Sequence, residues 1–391
     1  MVKTQSLRKI ILLLYLAVFP FGQIPALLIT LSLHSLISIH FADFFALLFV
    51  VLSFVEKRTL IKDFIYSDVF KFVVILLFSY VFGMLYFDIV YLQSFLYLLR
   101  ACTYVMFAYI LWKDRIVSSQ EISIFFIMNA LIISVSGLIQ YLLLPDTRFL
   151  KILGWDDHYF RLISTFLDPA FTGILLVLSL LFMGLYWRPK SNLVKGISIA
   201  VVSISLLLTY SRASFLSLLA GLVVYTFLQR KIKLKYVIAT ILFVFTLTLL
   251  PRPDGGEGVK LERTFSIISK FQNSSETIAL GKASPLFGVG YNNLCYVKNS
   301  NNLDTSAVLF SHSCSGADNS LVFIFATMGI VGVLFVTWGI IQLIKSNKNP
   351  FVLSVFTAVL LHTQFTNTLF YPWVCMWIVL CLCLRPITEE K

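Results

Sequence analysis

Apolar residues in this chain come in long blocks. Roughly 15–25 of them run together before a short charged stretch interrupts, and the pattern recurs along the whole sequence. A segment of that length with few charges matches the thickness of a bilayer core, which makes this the pattern of spanning helices. Hydrophobic residues are 59% of the chain, charged residues 13%, and the mean hydropathy is +0.89. Soluble domains carry about 25% charged residues. The fold class read from the sequence is an all-α polytopic membrane protein, a single integral domain over 1–391.

Twelve transmembrane helices are expected, near 10–33, 40–55, 70–88, 92–112, 121–144, 168–187, 197–210, 214–229, 236–250, 319–344, 351–368 and 372–384. With the N-terminus inside, 20 of the 31 lysines and arginines fall in short cytoplasmic segments. Ten fall in outer segments, most of them in one long loop, where the positive-inside bias is weak. Arg100 alone falls within a helix. The basic start leads into the first apolar stretch without a small-residue cleavage site, so the first helix is expected to stay in the membrane. The net charge of +12 is accounted for by basic residues kept on the cytoplasmic side, and no nucleic acid is expected as a partner.

The stretch LLLTYSRASFLSLL, 206–219, tests this orientation. Between 197 and 229, Arg212 is the only charged side chain. A guanidinium at the centre of a spanning helix costs at least about 2.5–3.5 kcal/mol. One tilted span over 197–229 would put its two basic flanks in opposite compartments. Two shorter spans put both inside and set Arg212 at an outer turn, and a re-entrant pair does the same.

Two outer segments are long enough to carry function: 145–167, which includes GWDDHYFRLISTFL, and 251–318, which opens on the turn-forming PRPDGGEG. Cys102, Cys375, Cys381 and Cys383 fall in expected helices as small apolar residues. Cys295 and Cys314 share the large outer segment, where an oxidising compartment permits a disulfide that spacing alone does not decide. No cysteine or histidine cluster has metal-ligand spacing, so neither a metal nor a cofactor is expected.

Arg161, Arg212 and Arg263 face outward, and an arginine fork suits bidentate contact with phosphate. Three of them at one boundary could line a single anionic pocket. The plainer reading, snorkelling to headgroups or pairing with an acid, suits Arg148 and Arg263 taken singly. SPLFGVGYNN, 284–293, has glycines two apart but lacks the third glycine and the strand–helix unit of a dinucleotide fingerprint. It reads as a tight turn, or as a place where a ligand approaches the main chain. Asp318 and Asn319 precede an apolar run, where either is a natural helix cap. The functional alternative has Asp318 or His312 taking a proton from an attacking hydroxyl. His34, His40 and His158 lie by outer turns, and His362 reads as a satisfied group between helices. Trp155, Tyr159, Tyr291 and Tyr296 are candidates for stacking on a glycan, with Asn292 and Asn319 as polar contacts.

Four stretches taken in order resemble the superfamily of O-antigen ligases and O-antigen (repeat-unit) polymerases. RLISTFLDPAFTG (161–173) is similar to its arginine, small residue, Thr-Phe, Asn/Asp-Pro stretch. LTYSRASFLSLLAGL (208–222) resembles its Thr-x-Ser-Arg helix turn. SPLFGVGYNNL (284–294) resembles its Pro-Leu-Phe/Leu-Gly-x-Gly loop. DNSLVFIFATMGIVGVLF (318–335) resembles the segment where His-Asn or Asp-Asn opens a helix ending in Gly-Ile-x-Gly. The match covers roughly 160–335.

The resemblance implies a membrane glycosyltransferase of the polyprenyl-donor class, in the bacterial inner membrane with both termini cytoplasmic and 251–318 periplasmic. It would transfer a glycan from undecaprenyl diphosphate to a sugar hydroxyl at the outer face, without metal or nucleotide sugar. Its partners would be the lipid-linked oligosaccharide, membrane lipid and a chain-length regulator protein. Arg212 matches the Thr-x-Ser-Arg arginine and is the first choice for the diphosphate, with Arg161 beside it. The family's further basic residue stands some fifteen positions before the Pro-Leu-Phe-Gly motif. Lys270 is at that distance and Arg263 is 22 before Pro285, so both stay candidates. Ligases carry histidine directly before the asparagine of the fourth motif; this chain has Asp318 there, which leans towards a polymerase. The alternatives are a ligase, which moves the glycan to lipid A–core, and a transporter of lipid-linked oligosaccharide, which would place charges deep in several helices.

Overall fold

The computed structural model describes residues 2–33, 40–87, 92–153, 155–230, 234–300 and 316–384. Among them the structure is helical, with one isolated antiparallel bridge between Asp146 and Tyr159. The helices run α1 (Val2–Val18), α2 (Ile24–Leu33), α3 (Phe41–Glu56), α4 (Arg58–Ile65), α5 (Asp68–Phe87) and α6 (Leu92–Asp114). They continue with α7 (Ser119–Leu143), α8 (Pro169–Leu181), α9 (Asn192–Leu208), α10 (Arg212–Leu228) and α11 (Leu234–Thr248). The last are α12 (Phe265–Ala283), α13 (Leu294–Ser300), α14 (Ser320–Ser346), α15 (Pro350–His362) and α16 (Pro372–Cys383).

Five helices in the described residues are long and apolar enough to cross a membrane: α5, α6, α7, α8 with its continuation to Tyr186, and α14. Helices α9, α10, α15 and α16 are shorter and apolar. Leu85, Leu142, Val223 and Phe227 stand on the outside of the bundle as large exposed apolar side chains. A surface of this kind suits contact with lipid, and the chain is a membrane protein.

Local sequence explains where the helices start. Ser118 and Glu121 close a capping box at α7. Asp168 and Asn349 cap α8 and α15 and are followed by proline, whose missing N–H costs nothing in the first turn. Helix α8 lies at the centre, with residues 172–181 buried on every face. Helix α10 runs along α15, and Gly221 lets them approach: the Ser354 hydroxyl donates to its carbonyl at 2.6 Å.

Several expected spans take a different form. The apolar stretch 10–33 is not one helix: it breaks at Pro20 and Gly22, and the segment Ser164–Phe166 docks into the break. Thr165 Oγ1 donates to the Pro20 carbonyl at 2.7 Å, and the Gln23 N–H donates to the Thr165 carbonyl at 2.8 Å. The span expected to end at 368 ends at His362, after which a turn leads to a short 3-10 segment, Thr368–Phe370. The segment 251–318, read as a loop, contains the 19-residue α12. Its mixture of Lys, Gln, Asn and Ser with a few apolar residues hid that helix from a search for apolar blocks.

One end of the bundle is held by charge. Arg8, 1% exposed, pairs with Glu56 at 2.6 Å and Asp114 at 2.8 Å, and Lys57 joins Asp114. This ties the start of α1 to the ends of α3 and α6.

Candidate functional site

The four sequence stretches fold into two interlocked pairs. Residues 161–163 lie beside the α9–α10 connection, where the Leu162 N–H donates to the Leu208 carbonyl at 2.8 Å. Arg161 Nε donates to the Thr209 carbonyl at 3.0 Å. Residues 197–229 form two helices, and Arg212 stands at the first position of α10, after the cap Ser211. Phe160, Ser164, Leu167 and Tyr210, all near the two arginines, hold left-handed backbone. Such conformations cost about 1–3 kcal/mol each and gather at functional sites.

The second pair is a backbone interlock. Helix α14 opens at Gly329, whose φ of 63° and ψ of −164° lie outside the helical region. The chain 285–290 enters the gap: Val289 and Gly290 donate to the carbonyls of Ala326 and Thr327, and Ile330 donates to that of Pro285. A Cβ on Gly288 would collide with the Thr327 main chain, and one on Gly329 with the Leu286 main chain. The glycines of SPLFGVGYNN therefore accommodate the protein's own backbone, which corrects the reading of a ligand approach there.

Three arginines gather where the first pair meets residues 258–266. Arg212 Nη1 donates to the carbonyls of Leu261 (3.0 Å) and Arg263 (2.9 Å), and its Nη2 donates to Ser266 Oγ at 2.7 Å. Arg263 turns back to the carbonyls of Gly258 and Lys260. The stem of Arg161 lies against Gly258, where a Cβ would fall 2.8 Å from Arg161 Cδ. None of the three makes an ion pair among the described residues. The two terminal nitrogens of Arg161 have no hydrogen-bond partner among those residues either. Burial, then the positive charge of Arg263, pulls Arg161 down to about 9. Burial, then Arg212, pulls Arg263 down to about 10. Both stay protonated at neutral pH, so the cluster is a concentrated, partly desolvated positive charge. An anion with several oxygens is its natural ligand.

Arg212, expected to be the main anion contact, holds the loop 257–266 through three hydrogen bonds. Arg161 presents the more open fork. Arg148, by contrast, pairs with Asp146 at 2.6 Å. The two basic candidates separate: Arg263 joins the arginines, whereas Lys270 pairs with Asp318 at 2.8 Å and also donates to the Phe365 carbonyl.

The cap of α14 is also resolved. Asn319 accepts from the N–H groups of Leu321 and Val322, and its amide donates to Gln364 Oε1 at 3.1 Å. Asn319 is therefore the cap, engaged in structure rather than facing a ligand, and Asp318 is left to Lys270. Tyr291 packs edge-on against Phe323, with ring centroids 6.0 Å apart, yet still lines the large cavity together with Asn292. His34, His312 and Cys314 lie outside the described residues; Cys295 is buried and disulfide-bonded. His362 is fully buried between Ser214 (3.3 Å) and Thr368 (2.7 Å), a satisfied group between helices as expected.

That cavity measures about 1790 Å³ and is mostly apolar-walled. At one end it is lined by Trp155, Asp156, Asp168, Lys270 and Asp318, and it extends past Arg100 and Tyr104 to Trp112 and Asn347. Arg100, the one charge expected at depth, pairs with Asp43 at 3.0 Å, and Tyr104 donates to the same carboxylate. Asp156 and Asp168 both act on Arg161 electrostatically, so the cavity's polar end adjoins the arginine cluster.

Sequence spacing pointed to no metal group. The fold nevertheless brings ligand atoms of Asp156, His158 and Asp168 within 4.8 Å of one another. Their separation along the chain hid the group, since the residues converge only through the turn at 159–167.

No curated protein matches the chain. A family model described as O-antigen ligase matches residues 197–337, a stretch running from α9 through α12 into α14 and including Arg212, Arg263, Lys270 and Asp318. Over this stretch the chain is similar to that family, which supports a resemblance to the O-antigen ligase/polymerase superfamily.

Proposed function

We propose that the chain is a repeat-unit polymerase that joins lipid-linked oligosaccharides at the periplasmic face of the inner membrane. The observation that carries this reading is the cluster of Arg161, Arg212 and Arg263, which makes no ion pair among the described residues and adjoins a large apolar-walled cavity. A donor on undecaprenyl diphosphate has both parts, an apolar tail for the cavity and a polyanion for the arginines. In the reaction the acceptor hydroxyl oxygen forms a bond to the donor sugar's anomeric carbon. The bond from that carbon to the diphosphate oxygen breaks, and its electron pair leaves with the diphosphate. Arg161, backed by Arg212 and Arg263, stabilises that charge as it develops. Asp318, at the same end of the cavity, takes the hydroxyl proton.

Asp318 in the place where ligases carry histidine supports the polymerase. The description of the matching family favours the second reading, a ligase that moves the glycan to lipid A–core. A deletion strain separates them. Lipopolysaccharide limited to one repeat marks a lost polymerase, and core bare of any repeat marks a lost ligase. Within either strain, Arg161→Ala and Arg212→Ala should fail to restore long glycan while protein accumulates in the membrane. Normal chain lengths from both variants would sink the arginine assignment.

A further inference from the structure

We propose that the first two turns of α12 are seated in the lipid interface beside the arginine cluster, with Phe265, Ile267, Ile268 and Phe271 turned into the bilayer. These large apolar side chains all stand exposed, Phe265 by 80% and Phe271 by 76%. Helical periodicity spreads them over one side of α12. The opposite side is engaged: Ser266 accepts from Arg212, and Lys270 pairs with Asp318. Thr277, Leu280 and Gly281 are buried where α12 packs along α14. Beyond Phe271 the exposed positions include Gln272, Ser275, Glu276 and Lys282, so the apolar face stops after two turns. Clustered exposed apolar surface with a polar rim marks contact with a membrane or with another protein.

The level of the helix selects lipid. Arg212 opens α10 just past the end of α9 at Leu208, so the turn between these two apolar helices marks one end of the bundle's apolar belt. Two contacts hold the start of α12 at that turn. Arg212 Nη2 donates to Ser266 Oγ at 2.7 Å. The Tyr210 hydroxyl, in the turn itself, donates to the Pro251 carbonyl. Arg252, next in the chain, pairs at 3.1 Å with Glu262, three residues before Phe265. Pro251 closely follows α11, whose Ile241, Leu242 and Phe245 are exposed, as is Leu249 just after it. The exposed apolar surface of α11 thus ends where that of α12 begins, and one lipid surface covers both. A segment with apolar residues on one side and polar contacts on the other is the form taken by helices that lie in an interface.

Seated this way, α12 holds the loop gripped by Arg212, and Lys270 with it, at the depth where a lipid-linked diphosphate lies. That consequence rests on the polymerase reading above; the seating itself does not.

The test places a nitroxide at Ile268→Cys or Phe271→Cys, and at Glu276→Cys for comparison. The full-length protein is reconstituted in vesicles of phosphatidylethanolamine and phosphatidylglycerol, without any glycan. All three positions are exposed, so the substitutions remove no core packing. Parent protein carried through the same labelling corrects for the free cysteines. Electron paramagnetic resonance power saturation should show the labels at 268 and 271 more accessible to oxygen than to a water-soluble nickel chelate, and the label at 276 the reverse. Labels at 268 and 271 that the chelate reaches as readily as the one at 276 overturn the proposal. So do labels at 268 and 271 that neither reagent reaches, which would mark a protein partner on the same face. Either result leaves the polymerase reading standing, since that reading is decided by the glycan of the arginine variants.

Discussion

Ser266 and Lys270 stand four residues apart on one face of α12; the first accepts from Arg212 at 2.7 Å and the second pairs with Asp318 at 2.8 Å. One helical turn therefore couples the arginine proposed to support the diphosphate cluster with the carboxylate proposed to take the proton. Because α12 also packs along α14, whose start follows Asp318, the spacing between the two groups is set by a helix rather than by a loop.

Arg161 and Arg212 should fail in different ways. Arg161→Lys keeps a positive charge and a stem against Gly258 but loses the planar fork. Glycan transfer should drop about 10–100-fold while the segment 257–266 stays protease-resistant. Arg212→Ala removes three hydrogen bonds to that segment, so cleavage within 257–266 should accelerate. Equal protease sensitivity in the two variants would contradict the division of roles.

Asp318→Asn should lower polymer formation by about 10²–10⁴-fold, the usual contribution of a positioned base. The cap of α14 is Asn319, so the variant should accumulate and melt normally. Lys270→Arg should keep the ion pair and most of the activity, whereas Lys270→Met, which removes it, should lower polymer formation. Equal polymer formation by the two variants would mean that the pair plays no part in the reaction.

Gly329→Ala should destabilise the protein by at least about 1–3 kcal/mol from backbone conformation alone, because the added Cβ also meets the Leu286 main chain. The melting temperature in detergent should fall accordingly. Gly339→Ala, in the same helix with nothing within 4 Å of the new Cβ, serves as the control. Similar melting of the two variants would contradict the interlock of 285–290 with α14.

Burial, then Arg263, pulls the pKa of Arg161 down to about 9, so its hold on an anion is expected to weaken as pH rises towards that value. Inorganic pyrophosphate should therefore raise the melting temperature at pH 7–8, and the increment should shrink as pH rises through about 9. The ligand-free protein moves the other way. A cation whose folded pKa lies below its unfolded value opposes folding while charged, so that penalty is relieved above pH 9. A pyrophosphate increment constant from pH 7 to 10.5 would remove Arg161 from the anion site.

The sequence by itself determined the membrane character, the break of 197–229 into two helices, and the order of the four stretches. Those properties follow from apolar runs and from turn or cap residues within a few positions, interactions local enough to leave a linear trace. The fold decided which arginine keeps an open fork, that Asn319 rather than Asp318 caps α14, and that the loop glycines receive the chain's own backbone. It also decided that Asp156, His158 and Asp168 meet. Each of these depends on a partner tens of residues away, Leu261 for Arg212, Lys270 for Asp318, Leu286 for Gly329, or on a turn whose backbone runs through left-handed conformations. Hydrogen bonding and steric fit between distant segments select among roles that residue type and spacing leave equally open.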